Sequence, residues 1–250
     1  MIERLAEDVV ARTRRAHKRA PLIALSGIDG SGKSMLAPAL AAALREHDLH
    51  AAVVNVDPWH TPAAIRFNAA DPARHFYRFA FRYEELFERL IDPLRRHRSV
   101  SLNLPLLRLV DDVWDEHVYD FRDVDVVILE GIFLLRRALR ARYDVAVWVE
   151  CSFETALRRA LERNQEGLDE TTLRRDYATV YFPAQRLHVR RDQPHATADL
   201  VIDNDVDGVD RIAGCPCLSI SGPTSRSSSQ DGSPCAGRFT GTPNRPLKRY

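Results

Sequence analysis

Gly27-Ile28-Asp29-Gly30-Ser31-Gly32-Lys33-Ser34 satisfies the pattern G-x-x-x-x-G-K-[ST]. It follows an apolar run, Leu22 to Ser26, and leads directly into a helical pattern over Lys33 to Glu46. With glycine near 7% of average proteins, a chance match in a chain of this size arises on the order of once in a hundred sequences, and less often between a strand and a helix. The residue types suit phosphate. Glycines let backbone N–H groups turn inward around phosphate oxygens, and the helix N-terminus adds its partial positive charge. Lys33 is the expected point charge for β- and γ-phosphates, and Ser34 offers a hydroxyl to Mg²⁺. Gly27, Asp29, Gly30, Ser31, Gly32, Lys33, Ser34 and Met35 are the expected nucleotide contacts.

Working outward from the loop, short apolar runs alternate with helical patterns. Leu22 to Ser26, Ala52 to Val56, Val124 to Leu129, Val145 to Glu150 and Leu200 to Asp203 read as strands. Val126 to Leu129 is continuously apolar, as parallel strands buried on both faces require. Helices are expected over Lys33 to Glu46, Tyr83 to Arg95, Ile132 to Arg140, Ser152 to Asn164 and Asp169 to His188. Ser152 and Asp169 are candidate N-caps, and Gly167 a candidate end to the turn between them. This alternation predicts an α/β fold, a doubly wound parallel sheet flanked by helices, with a short helical lid. No internal repeat is present.

The pattern stops near Ile212. Residues 213–250 contain 7 Ser, 5 Gly and 5 Pro in 38 positions, without apolar periodicity. That composition predicts a disordered low-complexity tail after a domain spanning residues 1–212. Cys215-Pro216-Cys217 in the tail does not complete a metal site by itself. Cys151, at the end of an apolar run, reads as a buried small hydrophobe. Across the 250 residues, 36 basic and 35 acidic side chains leave a net charge of +1, which gives no global attraction to nucleic acid or to membrane surfaces. A hydrophobic fraction of 45% excludes a wholly disordered chain. No run reaches the eighteen apolar residues of a membrane span, and Met1 to Arg19 is charged and amphipathic, so a cytoplasmic protein is expected.

In an open α/β sheet, ligands bind outside the carboxyl ends of the strands. Two carboxylates end strands here: Asp57, before Pro58-Trp59-His60, and Glu130, before Gly131. Transfer of a phosphoryl group to an alcohol needs one carboxylate to take the hydroxyl proton and another to organise Mg²⁺. Asp57 is assigned the first role and Glu130 the second. Arg158, Arg159 and Arg163 share the helix Ser152 to Asn164, and Arg159 and Arg163 stand four apart on one face. They suit either a clamp on transferring phosphate or ion pairs with Glu154, Glu162 and Glu166. Between Trp59 and Tyr83, Phe67, Phe76, Tyr77, Phe79 and Phe81 intersperse with His60, His75, Arg66, Arg74, Arg78 and Arg82. Beside Asp57, this segment could receive a planar or anionic acceptor, or simply pack against the core.

The loop Gly27 to Ser34, Asp57-Pro58-Trp59-His60, Val127-Ile128-Leu129-Glu130-Gly131-Ile132, the arginine-bearing helix and Ala198-Asp199-Leu200-Val201-Ile202 together resemble, in order and spacing, the uridine kinase and phosphoribulokinase family of P-loop kinases. The resemblance covers about residues 20–205. It implies a five-stranded parallel core, ATP and Mg²⁺ as cofactors, Asp57 as catalytic base, Glu130 at the metal and lid arginines on the phosphates. It further implies a small-molecule hydroxyl acceptor, with a uridine- or cytidine-type nucleoside first, and neither nucleic acid nor membrane as partner. Homo-oligomerisation is left open. The nearest position to the family's ribose-binding acidic residue is Arg82 here. The same chemistry on a sugar phosphate or a pantothenate-like alcohol is the enzyme alternative, and a nucleotide-hydrolysing switch is the alternative from another class.

Overall fold

The computed structural model describes residues 2–13, 19–67, 70–109, 111–164 and 167–205. The tail assigned to residues 213–250, Cys215 and Cys217 within it, and Glu166 lie outside the described residues. Seven strands follow in chain order: β1 (Leu22–Gly27), β2 (Ala51–Asn55), β3 (Val100–Arg108), β4 (Val113–Phe121), β5 (Val126–Gly131), β6 (Val145–Glu150) and β7 (Leu200–Asp203). Five of them form a parallel sheet in the order β2-β5-β1-β6-β7, while β3 and β4 make a separate antiparallel hairpin. Strands β1 and β5 are buried at every position, because helices cover both faces of the sheet.

On one face lie α1 (Ile2–Thr13) and α2 (Lys33–Arg45), whose Leu5, Val9, Leu40 and Leu44 pack on Ile23, Leu25, Ile128 and Val147. The other face is covered by α3 (Ala63–Arg66), α4 (Pro72–Phe79), α5 (Tyr83–Leu86), α6 (Asp92–His97), α7 (Arg137–Arg140), α8 (Phe153–Arg163), α9 (Glu170–Asp176), α10 (Phe182–Asp192) and α11 (Pro194–Thr197). Trp59, Phe87, Phe133 and Tyr177 are its largest fully buried side chains. Each apolar side chain taken wholly out of water here contributes roughly 1.5–3 kcal/mol before entropy is counted. Helices α5 and α6 run on through a wide turn at Phe87–Ile91, and α9 and α10 through one at Tyr177–Tyr181. Each wide turn ends two residues before a proline, Pro93 or Pro183. Proline lacks an N–H and crowds the carbonyl four residues back, so a widened turn lets the helix continue.

All five strands of the parallel sheet stand within two residues of their expected bounds, and Ser152 and Asp169 cap α8 and α9 by accepting from Thr155 N–H at 3.2 Å and Thr172 N–H at 3.0 Å. The helix expected over Ile132 to Arg140 is corrected to α7 alone. Phe133, Leu134 and Leu135 are all buried in succession, which one face of a surface helix cannot do, and Phe133 adopts φ +59° to turn the chain. Helix α8 stops at Asn164, in the left-handed region at φ +38°, before Gly167 at φ +65°. The hairpin β3–β4 and helix α4 were not anticipated from sequence. Pro105 inside β3 stands opposite Glu116 in a two-stranded ribbon with free edges, where a missing donor is tolerated.

Candidate active site

The loop between β1 and α2 is shaped by two glycines with positive φ, Gly30 at +75° and Gly32 at +93°. A Cβ at Gly30 would stand 2.4 Å from the Ala156 carbonyl oxygen, which bars a side chain there, and at Gly32 the φ of +93° strains any residue with a Cβ. No side chain caps α2, and the Gly32 carbonyl accepts from Met35 and Leu36 N–H at 3.1 Å each. The amides of the first turn, at Lys33 and Ser34, therefore face out of the helix end, where an anion would take them. Lys33 is buried, and its Nζ donates to the Ile28 carbonyl at 2.8 Å. Burial lowers the Lys33 pKa, and Asp29, Glu130 and Asp57 oppose that shift. Asn204, just past β7, donates to the Ser31 carbonyl at 2.7 Å and braces the loop from the far edge of the sheet.

Asp57 opens the short helical turn Asp57–Trp59, its N–H held by Asn55 Oδ1 at 2.7 Å. Asn55 is the register partner of Glu130, so β2 and β5 bring the two carboxylates to the same edge of the sheet. Burial and then the neighbouring Asp29 raise the Asp57 pKa. Glu130 is pushed up to about 7, by burial first and by Asp57, against the attraction of Lys33. Burial works the same way on Asp29, but Arg163, Lys33 and the Tyr177 hydroxyl outweigh it and hold this carboxyl below its ordinary value. Three carboxylates thus share one ammonium and one guanidinium, an arrangement suited to receiving further cations.

The residues fit ATP and Mg²⁺. Unpaired first-turn amides and Lys33 match a polyphosphate, and the exposed Ser34 hydroxyl and the Glu130 carboxylate are oxygen donors for a hard cation. Among the described residues no group of three His, Cys, Asp or Glu is set to hold a metal. Mg²⁺ at this edge would complete its shell with phosphate oxygens and water, as is usual for that ion.

Two of the three arginines on α8 reach the loop. Arg163 pairs with Asp29 at 3.3 Å, and Arg159 Nη1 lies 3.5 Å from the Gly30 carbonyl. Arg158 instead pairs with Glu162 at 3.5 Å and lines a separate depression with Ser152, Glu154 and Asp205. Met35 exposes its side chain, while its amide is committed inside α2. Cys151 is buried and its thiol pKa is pushed up to about 11, chiefly by burial, in keeping with a packing role.

Next to Asp57 opens a cavity of about 210 Å³ lined by His60, Arg66, Phe67, Phe76 and Gln185 among others. Part of the aromatic segment packs the core and part faces this cavity. Arg66 is nearly buried, donating to the Thr61 carbonyl at 2.6 Å and to Asp112 at 2.7 Å. Arg82 pairs with Glu85 at 2.5 Å and lies over Trp59 and Trp114. Gln185, a residue without any motif to single it out, is 2% exposed. Its Oε1 accepts from Asp29 N–H at 2.9 Å, and its Nε2 is buried without a protein partner. A buried donor left unmet costs roughly 1–3 kcal/mol, which a hydrogen-bonding ligand would recover. Gln185→Leu is expected to raise the KM of the cavity's ligand about tenfold or more; steady-state titration checks this, and an unchanged KM would deny the amide a contact.

His60 packs at a tilt against Phe81, ring centres 4.0 Å apart, and its Nδ1 is 2.6 Å from the Asp57 carbonyl oxygen, so that nitrogen carries the proton. Burial lowers its pKa from 6.5 to about 4. Because the unfolded chain binds the proton more readily, this contribution to stability is complete above about pH 6.5 and is lost as pH falls towards 4, to a limit of about 3 kcal/mol. His60→Gln should flatten the acid limb of the urea-midpoint profile; parallel acid limbs would mean that His60 titrates freely in the folded state.

The sheet and its glycine loop define a P-loop nucleotide-binding protein with a kinase-like fold. No protein-family model matches the chain. A uridine kinase from Staphylococcus aureus is 25% identical over 189 residues, 74% of this chain and 88% of its own length. A candidate fructose transport system kinase from Silicibacter sp. TM1040 superposes with a TM-score of 0.67 at 27% identity, over 80% of this chain and 98% of its own. A D-glycerate 3-kinase from Cryptococcus neoformans shares the fold at TM-score 0.56 and 13% identity, over 83% and 98%. These likenesses, with the motifs above, support the resemblance to the uridine kinase and phosphoribulokinase family of P-loop kinases.

Proposed function

We propose that the chain is an ATP- and Mg²⁺-dependent phosphotransferase that moves the γ-phosphoryl group to a hydroxyl of a small molecule, with a uridine- or cytidine-type nucleoside as the first acceptor to test. One observation carries this reading: Asp57, with its raised pKa, lines the cavity beside the phosphate loop together with Asp29 and Arg163. In this reading the loop amides and Lys33 bind the phosphates, and Ser34 and Glu130 hold the metal. Mg²⁺ supplies charge neutralisation between the phosphates when bound. Asp57 accepts the proton of the acceptor hydroxyl, which is the task a carboxylate of raised pKa performs near neutrality. Arg159 and Arg163 meet the charge that develops on the transferred group.

A second reading of the acceptor rests on Arg66 and the unmet Gln185 amide. The Gln185 amide is a donor without a partner at the cavity, and the neighbouring Arg66, though paired with Asp112, adds positive charge there, so a small alcohol bearing a phosphate or carboxylate suits these groups as well as a ribose does. Among the described residues no helix is long and apolar enough to cross a membrane. ADP release measured against nucleosides, sugars and sugar phosphates tests the proposal. Turnover that rises with one of them supports a kinase and names its acceptor class. Turnover that responds only to a macromolecule would favour the switch.

A further inference from the structure

A second cavity, of about 400 Å³, is lined by four guanidinium groups, those of Arg78, Arg136, Arg137 and Arg191, together with Tyr77 and Asp192. It shares no lining residue with the cavity at Asp57. Among the described residues no carboxylate forms an ion pair with any of the four, whereas most arginines of the catalytic face are paired. The single acid in the wall cannot neutralise them. Asp192 already accepts from Tyr77 OH at 2.6 Å, His188 Nδ1 at 2.7 Å and Arg137 N–H at 3.2 Å. Arg136 lies over the rings of Tyr77 at 4.4 Å and Phe133 at 5.0 Å, and its Nε and one Nη are shielded from water with no hydrogen-bond partner.

Like charges gathered around one hollow repel one another, and donors shielded without partners add a further cost. A ligand with several anionic oxygens would relieve both. A guanidinium fork matches phosphate oxygens in pairs, and a hollow of this volume has the size of small-molecule sites rather than of a macromolecular surface. We infer that this cavity is a binding site for a polyphosphorylated small molecule, additional to the phosphate loop. It is built on α4 and α10, which also supply Phe76 and Gln185 to the cavity at Asp57.

The test is titration calorimetry of the full chain with inorganic tripolyphosphate, in the wild type, in Lys33→Ala and in the double variant Arg78→Glu/Arg191→Glu. Both arginines of the double variant are exposed, so an unchanged melting temperature serves as the folding control. The wild type should bind two tripolyphosphates. Lys33→Ala should weaken one site and leave the other, and the double variant should weaken that other site by at least ~100-fold. A single site in the wild type, or two intact sites in Arg78→Glu/Arg191→Glu, would overturn the inference. It would equally be overturned by a wild-type dimer that the double variant dissociates, since the arginines would then face a second copy of the chain.

Discussion

Asp57→Asn should lower kcat by ~10² to 10⁴ with its acceptor, equivalent to about 3–5 kcal/mol of barrier, while the protein stays folded and ATP still binds. The substitution keeps size and removes the proton acceptor. The Asp57 N–H bond to Asn55 does not involve the side chain, so the turn that carries it survives. Relief of the repulsion among Asp29, Asp57 and Glu130 should leave the melting temperature level or raised. The measurement is kcat beside ATP affinity and melting temperature for the same variant. A fall below tenfold with both others preserved would remove Asp57 as the base. Loss of ATP affinity alone would reassign it to the metal.

Lys33→Ala should weaken ATP binding by ~10- to 100-fold, since a charge-assisted contact to phosphate contributes about 1.5–3 kcal/mol, and turnover should fall with it. Its effect on stability runs the other way from an ordinary core truncation. Burial disfavours the charged lysine, which leans on the Ile28 carbonyl, so removing it should not lower the melting temperature. Equilibrium nucleotide binding and thermal melting check the pair. Undiminished affinity would separate Lys33 from the phosphates.

The phosphate loop, the parallel sheet and both strand-end carboxylates were legible in the sequence because each rests on local signals: a glycine spacing, an unbroken apolar run and a polar residue at its end. Hairpin β3–β4 was not, since its alternation is interrupted by Pro105 and by a second apolar residue at Leu107. The segment after Gly131 departs from the expected helix because Phe133-Leu134-Leu135 offers the same apolar content to a helix as to a buried turn, and only the surrounding core contacts decide. Gln185 and Asn204 were invisible for another reason. Their contacts with Asp29 and Ser31 span 156 and 173 residues, and a lone amide carries no pattern. Of the arginines, the four-residue spacing puts Arg159 and Arg163 together, whereas Arg158, one residue before Arg159, falls about 100° around the helix and meets Glu162.

In the proposed reaction, the γ-phosphoryl group leaves ATP for a small hydroxyl compound. Following the ³²P label of γ-labelled ATP into products, with the best acceptor present and absent, tests it most directly. Label should appear on the acceptor, in step with ADP, with little inorganic phosphate when the acceptor is absent; label appearing only as inorganic phosphate, at a rate indifferent to every small acceptor, would rule out transfer to a small hydroxyl compound.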